Sequence, residues 1–185
     1  MIVIAIKMDH KRISKFLSLV LRHEPGKIGI VLDENGWTDS NELIEAAGRH
    51  RVQFNRATLL EIVRTNDKQR FALSEDGTRI RANQGHSVKV DLALTPQHPP
   101  ETLYHGTVEK FIDAIRSSGL QKGERHHVHL SPDLITATKV GQRRGKPVIL
   151  TIRAAAMAGA GHPFYLSDNG VWLTDAVPPE FIEFP

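Results

Sequence analysis

Arg70-Phe-Ala-Leu-Ser-Glu-Asp-Gly-Thr-Arg-Ile-Arg-Ala82 reads as two short strands, over 70–73 and 78–82, closed on each other by the turn Ser-Glu-Asp-Gly77. Upstream, the periodicity predicts three helices. In the first, Ile13, Phe16, Leu17, Val20 and Leu21 form one apolar stripe, with Asp9 as the expected cap. It must stop near Arg22-His23-Glu24-Pro25-Gly26, because a proline disfavours helical geometry at the residue before it. A turn at Asp33-Glu-Asn-Gly36 leads to Trp37, and Asp39 or Ser40 starts a second helix through Ala47. Asn55 caps a third, with Leu59, Leu60, Ile62 and Val63 as its apolar side. Three helices followed by a hairpin predict a small winged-helix module over residues 8–94. The opening Met1-Ile-Val-Ile-Ala-Ile6 is expected to be a strand, or an extension ahead of Met8.

Downstream, three prolines between Thr95 and Pro100 mark a linker. Over 101–185 the pattern becomes a mixed α+β lobe. Thr102-Leu-Tyr-His-Gly-Thr107 reads as a strand running into a loop, followed by an amphipathic helix with Val108, Phe111, Ile112 and Ile115. Gly119 closes that helix. Strands are expected at 127–130, 148–153 and 171–173, with a helix near 134–140. The fold class is therefore α+β, in two lobes.

The chain has 185 residues, 40% hydrophobic, which suffices for a core. Its net charge of +3 lies wholly in residues 1–95, with 15 Lys and Arg against 12 Asp and Glu. Residues 96–185 balance at nine of each, so an anionic partner is better received by the first half. With no cysteine, disulfides, thiolate chemistry and Cys-based zinc sites are excluded. The opening apolar run is too short for a signal peptide or a membrane span, and a cytoplasmic protein without membrane attachment is expected.

Several clusters suit phosphate. Arg22 and His23 at a helix end pair a planar guanidinium fork with a titratable imidazole, a good combination for a phosphate monoester. Arg70, preceding Phe71, is expected to point opposite the core. Arg79 and Arg81 share one strand face, and the following Asn-Gln84-Gly85-His86 supplies a polar, flexible turn. Tyr104-His105-Gly106-Thr107 precedes a predicted helix, whose first amides could receive a pyrophosphate or ribose hydroxyls. His129-Leu130-Ser131 at a strand end reads as part of a ligand pocket. Gly141-Gln-Arg143-Arg144-Gly-Lys146-Pro is a basic loop without P-loop spacing, and Gly-x-Gly-x-x-Gly is absent, so Rossmann-type binding has no support. Of His126, His127 and His129, the last two share one face of a predicted strand that carries no acidic residue or cysteine, and no metal is expected.

Singly these signals are ordinary; their order is specific. Leu-Arg-His-Glu-Pro, Asp-Lys-Gln-Arg-Phe, Arg-Ala-Asn-Gln-Gly-His-Ser, Tyr-His-Gly-Thr, His-Leu-Ser, Gly-x-Arg-x-Gly-Lys-Pro-Val and Asn-Gly-Val-Trp-Leu-Thr follow one another from residue 21 to 174. The string resembles the KptA-type RNA 2′-phosphotransferase family. The resemblance implies an N-terminal winged-helix RNA lobe and a C-terminal NAD⁺ lobe of the ADP-ribosyltransferase type. It puts the family's catalytic Arg-His-Arg-Arg set on Arg22, His23, Arg70 and Arg143, and its ADP-ribosyltransferase-type positions on His105, His129 and Val171; Gly106, Thr107, Leu130 and Ser131, beside them in their motifs, are the other expected NAD⁺ contacts. Arg81, Gln84, Gly85, His86, Arg144 and Lys146 are the expected RNA contacts. Arg144 departs from the histidine usual there; the spacing from Gly141 favours Arg143 as the phosphate ligand.

The implied reaction has two steps. The RNA 2′-phosphate attacks the nicotinamide-bearing ribose carbon and expels nicotinamide, giving an ADP-ribosylated RNA. The ribose 2″-hydroxyl then attacks phosphorus, freeing the RNA 2′-hydroxyl and releasing ADP-ribose 1″,2″-cyclic phosphate. Converging arginines suit a group carrying roughly −1.5 to −2 charges. His23 could hold the phosphate or move protons. Many ADP-ribosyltransferases carry glutamate where this chain has Val171; an already ionised nucleophile needs no base, and a carboxylate would repel it. Two rivals remain: an ADP-ribosyltransferase capping terminal phosphates of RNA or DNA, and a non-catalytic winged-helix RNA-binding protein. The expected partners are NAD⁺ and a tRNA-like RNA bearing a 2′-phosphate, with a monomer as the default.

Overall fold

The computed structural model describes residues 2–185, which form two compact units, 1–93 and 94–185. The mixed helix-and-sheet class expected from the periodicity is observed in both.

In the N-terminal unit, α1 spans Ile2–Arg22. It begins well before Asp9, which lies inside the helix and pairs with Arg12 at 3.1 Å instead of capping it. The expected strand at the start of the chain is thus helical from Ile2, and Met1 lies outside the described residues. The stripe is as predicted: Ile13, Leu17, Val20 and Leu21 are buried. Such burial contributes about 1.5–3 kcal/mol per large aliphatic side chain. A 3₁₀ turn at Pro25–Lys27 follows at the expected stop.

Next come β1 (Thr38–Asp39), α2 (Ser40–Arg49) and α3 (Arg56–Thr65). Asp39 caps α2 by accepting from the amides of Asn41 and Glu42, and Asn55 caps α3 by accepting from that of Thr58. Leu59 and Ile62 face the core, but Leu60, expected beside them, is exposed. The hairpin is β2 (Phe71–Leu73) and β3 (Arg79–Ala82), antiparallel with Phe71 opposite Ala82. The β1 strand adds to the other edge of β3, giving the order β1-β3-β2.

In the C-terminal unit, β4 runs over Thr102–Val108, so His105 and Gly106 are mid-strand and not in a loop ahead of a helix. A 3₁₀ turn then leads into α4 (Ile112–Ser118) and β5 (Leu120–Gln121). The chain continues through β6 (Val128–Leu130), α5 (Leu134–Gly141), β7 (Pro147–Arg153), α6 (Ala154–Gly159), β8 (Tyr165–Leu166), β9 (Trp172–Thr174), β10 (Ala176–Val177) and β11 (Ile182–Glu183). Two antiparallel sheets, β11-β7-β4 and β6-β9-β8, are joined by a bridge between Tyr104 and Ser131, each amide donating to the other's carbonyl at 2.8 Å. Leu103, Leu130, Leu150, Ile152, Met157 and Phe164 fill the core between these elements. Among the described residues, no helix is long and apolar enough to cross a membrane.

Candidate functional site

Three of the predicted phosphate ligands gather in the N-terminal unit. The chain leaves α1 at Arg22 because Pro25 ends the helix, and the segment after β3 folds back onto this end. The amides of Ser87 and Val88 both donate to the Arg22 carbonyl, at 2.9 and 3.3 Å. That places the Ser87 hydroxyl 2.9 Å from His23 Nδ1, on an exposed imidazole. The half-buried Arg22 side chain reaches the other way, donating from Nη2 to the Arg70 carbonyl at 3.4 Å. The same carbonyl accepts from the Asn83 amide at 2.9 Å. Arg22 and His23 at the helix end and Arg70, 48 positions from Arg22, are therefore neighbours, each held by a hydrogen bond.

Arg70 is aimed by the turn before it. Asn66 Oδ1 accepts from Arg70 Nη1 at 3.1 Å and from the Lys68 and Arg70 amides at 3.2 and 3.4 Å. Gln69 adopts φ +40 to complete the turn, and its carbonyl accepts from Asn83 Nδ2 at 2.6 Å. Asn66 and Ser87 lie at the ends of stretches the sequence marks, but their roles are not legible there, because nothing local marks an asparagine or serine as a brace.

The expected RNA-facing residues divide. Arg79 and Arg81 do share one face, where both stack on Trp37, with guanidinium carbons 5.5 and 4.7 Å from the ring centre. Gln84 and Gly85 are half-buried. His86 is only 1% exposed, and its Nε2 lies against Gly36, so it supports the loop from within.

In the C-terminal unit, His105 on β4 and His129 on β6 meet where the two sheets join. At that join the strands no longer share a full ladder, and a side chain takes one backbone group: His105 Nδ1 donates to the His129 carbonyl at 3.0 Å. A carbonyl can only accept, so the proton sits on Nδ1 and His105 Nε2 is an acceptor. Arg125 Nη1 lies 3.3 Å from His129 Nδ1. A guanidinium can only donate, so His129 has the opposite tautomer, with its proton on Nε2. Burial holds the His105 pKa below its ordinary value; the His129 carbonyl opposes this, and the charges of Arg125 and Arg144 add to it. Arg125 itself is pushed down by desolvation and by the nearby charges of Arg144 and Arg143. Arg125 and Arg144 thus set positive charge beside His105, and Arg143 adds to the charge around Arg125. Arg125 escaped the sequence reading because it stands in a charged run before β6 with no motif of its own.

Gly106 has a different role from the one its motif suggests. A Cβ built there would lie 1.9 Å from the Ala137 carbonyl oxygen, so the missing side chain lets α5 pack directly on β4. Gly141, at the far end of α5, meets Thr107 in the same way, at 2.9 Å. Thr107 is buried, as is Leu130. Ser131 is committed to the sheet-joining bridge through its backbone. Val171 closes the β8–β9 turn, its carbonyl accepting from the amide and hydroxyl of Ser167. Arg143 and Arg144 leave α5 in a 3₁₀ turn at Gln142–Arg144, and Arg144 approaches the Phe111 ring at 5.8 Å. The exposed Lys146 follows, just ahead of β7. His127 lies by the Tyr165 ring, with centroids 5.4 Å apart. Among the described residues, no three His, Asp or Glu side chains group as metal ligands do.

Chemically, the first cluster offers two guanidinium groups and an imidazole on a helix end and the turn beside it, suited to a phosphate monoester. The second offers an acceptor imidazole, a donor imidazole and dense positive charge, which fit ribose hydroxyls and a pyrophosphate.

The chain is similar to known proteins over almost its whole length. Residues 8–176 match the family described as RNA 2′-phosphotransferase, Tpt1 / KptA family. A protein of Hahella chejuensis named as a probable RNA 2′-phosphotransferase is 61% identical over 169 residues, covering 91% of each chain. One of Flavobacterium johnsoniae with the same name is 59% identical over 174 residues, covering 94% of this chain and 96% of its own. One of Streptomyces griseus, also so named, is 56% identical over 185 residues, covering 95% and 98%. With that match over residues 8–176 and relatives this similar, the chain belongs to the Tpt1 / KptA family of RNA 2′-phosphotransferases.

Proposed function

We propose that the protein removes an internal 2′-phosphate from RNA, such as that at a tRNA splice junction, and passes it to the ADP-ribose part of NAD⁺. NAD⁺ supplies an electrophilic ribose carbon and, in the second step, the ribose hydroxyl that takes phosphorus; nicotinamide and ADP-ribose 1″,2″-cyclic phosphate are the by-products. The N-terminal unit is the winged-helix RNA lobe, with the β2–β3 hairpin as its wing. The C-terminal unit is the ADP-ribosyltransferase-like NAD⁺ lobe.

The observation that carries this reading is the bracing of Arg22 and His23 at the end of α1 and of Arg70 on the neighbouring turn, by the Arg70 carbonyl, Ser87 and Asn66. Arg22, Arg70 and Arg143 neutralise and orient the phosphate, and stabilise the charge that builds on its oxygens during transfer. His23, with Nδ1 tied to Ser87, holds the phosphate or moves a proton through Nε2. His105, Gly106, Thr107, His129, Leu130, Ser131 and Val171 form or support the NAD⁺ site; of these, His105 and His129 have the tautomers that pair with hydroxyls and phosphate oxygens. Arg81, Gln84, Gly85, His86, Arg144 and Lys146 form or underlie the RNA surface. The apolar Val171 leaves a phosphate nucleophile unopposed by a carboxylate.

Incubation with RNA bearing one internal 2′-phosphate, with and without NAD⁺, tests the proposal. Loss of the phosphate only with NAD⁺, with release of the cyclic phosphate, is expected. Loss without NAD⁺, no loss with it, or a stable ADP-ribose adduct would each overturn it.

A further inference from the structure

Asn66 has no part in the reaction above, yet more of the Arg70 turn depends on it than on any other side chain described for that turn. It ends α3 as its C-cap residue. Its Nδ2 donates to Ser14 Oγ on α1 at 3.1 Å. Its Oδ1 accepts from two turn amides and from Arg70 Nη1. Its carbonyl accepts from the Gln69 amide at 2.8 Å, closing a turn in which Gln69 is left-handed. A left-handed conformation at a non-glycine residue costs about 1–3 kcal/mol and persists only where its surroundings impose it.

We propose that Asn66 is the positioning residue that aims the Arg70 guanidinium, and that it must be a neutral amide because a carboxylate in its place would hold that guanidinium and repel the RNA 2′-phosphate. This rests on the reading of Arg70 as a phosphate ligand. Orientation alone would be served as well by aspartate, which has the same shape and a stronger acceptor. Aspartate, however, would lay a carboxylate along the guanidinium, a pairing roughly twice as strong as a neutral hydrogen bond. It would also set a negative charge beside the incoming phosphate. The scaffold tolerates the change: Ser14 Oγ can turn to donate, and one carboxylate at a helix C-terminus costs only about 0.3–1 kcal/mol.

The test compares Asn66→Asp and Asn66→Ala with the wild type in NAD⁺-dependent removal of the phosphate. It also compares their binding of the same RNA with a 2′-phosphate or a 2′-hydroxyl. Asn66→Asp should raise KM for the phosphorylated RNA by about tenfold or more, the effect of one misplaced charge-assisted contact. It should lose most of the preference for 2′-phosphate over 2′-hydroxyl RNA while keeping its melting transition. Asn66→Ala loses the aim but adds no charge, and should fall less. A purely structural role predicts the reverse order, since aspartate keeps the acceptor and alanine deletes it. Alanine worse than aspartate, an aspartate variant within twofold of wild type, or equal weakening of both RNAs would overturn the proposal. If Asn66→Asp does not fold, Asn66→Ser carries the test: its neutral hydroxyl should retain more turnover than alanine, and equal losses would overturn the idea. A wild type that leaves the 2′-phosphate in place would instead overturn the reaction assignment, a result separable from the order of the variants.

Discussion

In the N-terminal unit, Arg22, His23 and Arg70 stand on a helix end and a turn, each held by hydrogen bonds from polar side chains or backbone groups. In the C-terminal unit, His105 and His129 stand on strands, and the strand carrying His105 is itself pressed against a helix through Gly106. The first arrangement fixes flexible cations by polar braces. The second fixes imidazoles by packing, with tautomers chosen by a backbone carbonyl and an arginine. Phosphate capture tolerates some adjustment of long side chains; recognition of hydroxyls by a particular ring nitrogen does not. The two solutions therefore match the two kinds of ligand proposed for them.

The comparison breaks most readily at the arginines. Arg70→Ala and Arg143→Ala should each lower turnover by about 10²–10³, the usual loss for one preorganised charge-stabilising donor. Their melting temperatures should stay close to wild type, as both side chains are at least partly exposed. An ordinary rate in Arg143→Ala would remove the C-terminal arginines from phosphate handling.

The packing side is tested by glycines. Gly106→Ala must displace the backbone of α5 and should destabilise the C-terminal unit by about 3 kcal/mol, in the range of severe overpacking. Gly48→Ala in α2 meets nothing within 4 Å and should stabilise the N-terminal unit by about 0.5–1 kcal/mol. Denaturant unfolding of the two variants reads the contrast. A harmless Gly106→Ala would mean that α5 is not seated on β4 as described.

The smallest effect concerns His105. Its NMR titration midpoint should fall below the ordinary histidine value of about 6.5. Because the folded pKa is the lower one, its contribution to stability is complete above the unfolded value and is lost as pH falls from there through the folded one. Arg125→Ala, which removes one neighbouring charge, should move the midpoint upward. A midpoint at or above the ordinary value would leave the ring protonated more readily than the tautomer argument requires.

Legibility in the sequence followed the range of the interaction. Asp39 and Asn55 mark α2 and α3 because a cap bonds within its own first turn. The β2–β3 hairpin is legible because its turn residues and alternation lie side by side. The start of α1 is not: a six-residue apolar run suits strand or helix equally. Nor are the two-residue strands β5, β8, β10 and β11, which are too short for any periodicity and exist only through their distant partners.

By itself, the sequence determined the α+β class, the main helices, the hairpin and the order of basic and histidine motifs that places the chain in its family. These depend on local periodicity, on capping and on residue identity. Only the tertiary structure decided that Ser87 reaches His23 across 64 positions, that Asn66 holds Arg70, and that Arg125 joins His129. It also decided that Gly106 is small for the sake of a helix. A hydrogen bond or a close packing contact depends on where two groups end in space, and neither partner carries that position in its own neighbourhood of the chain.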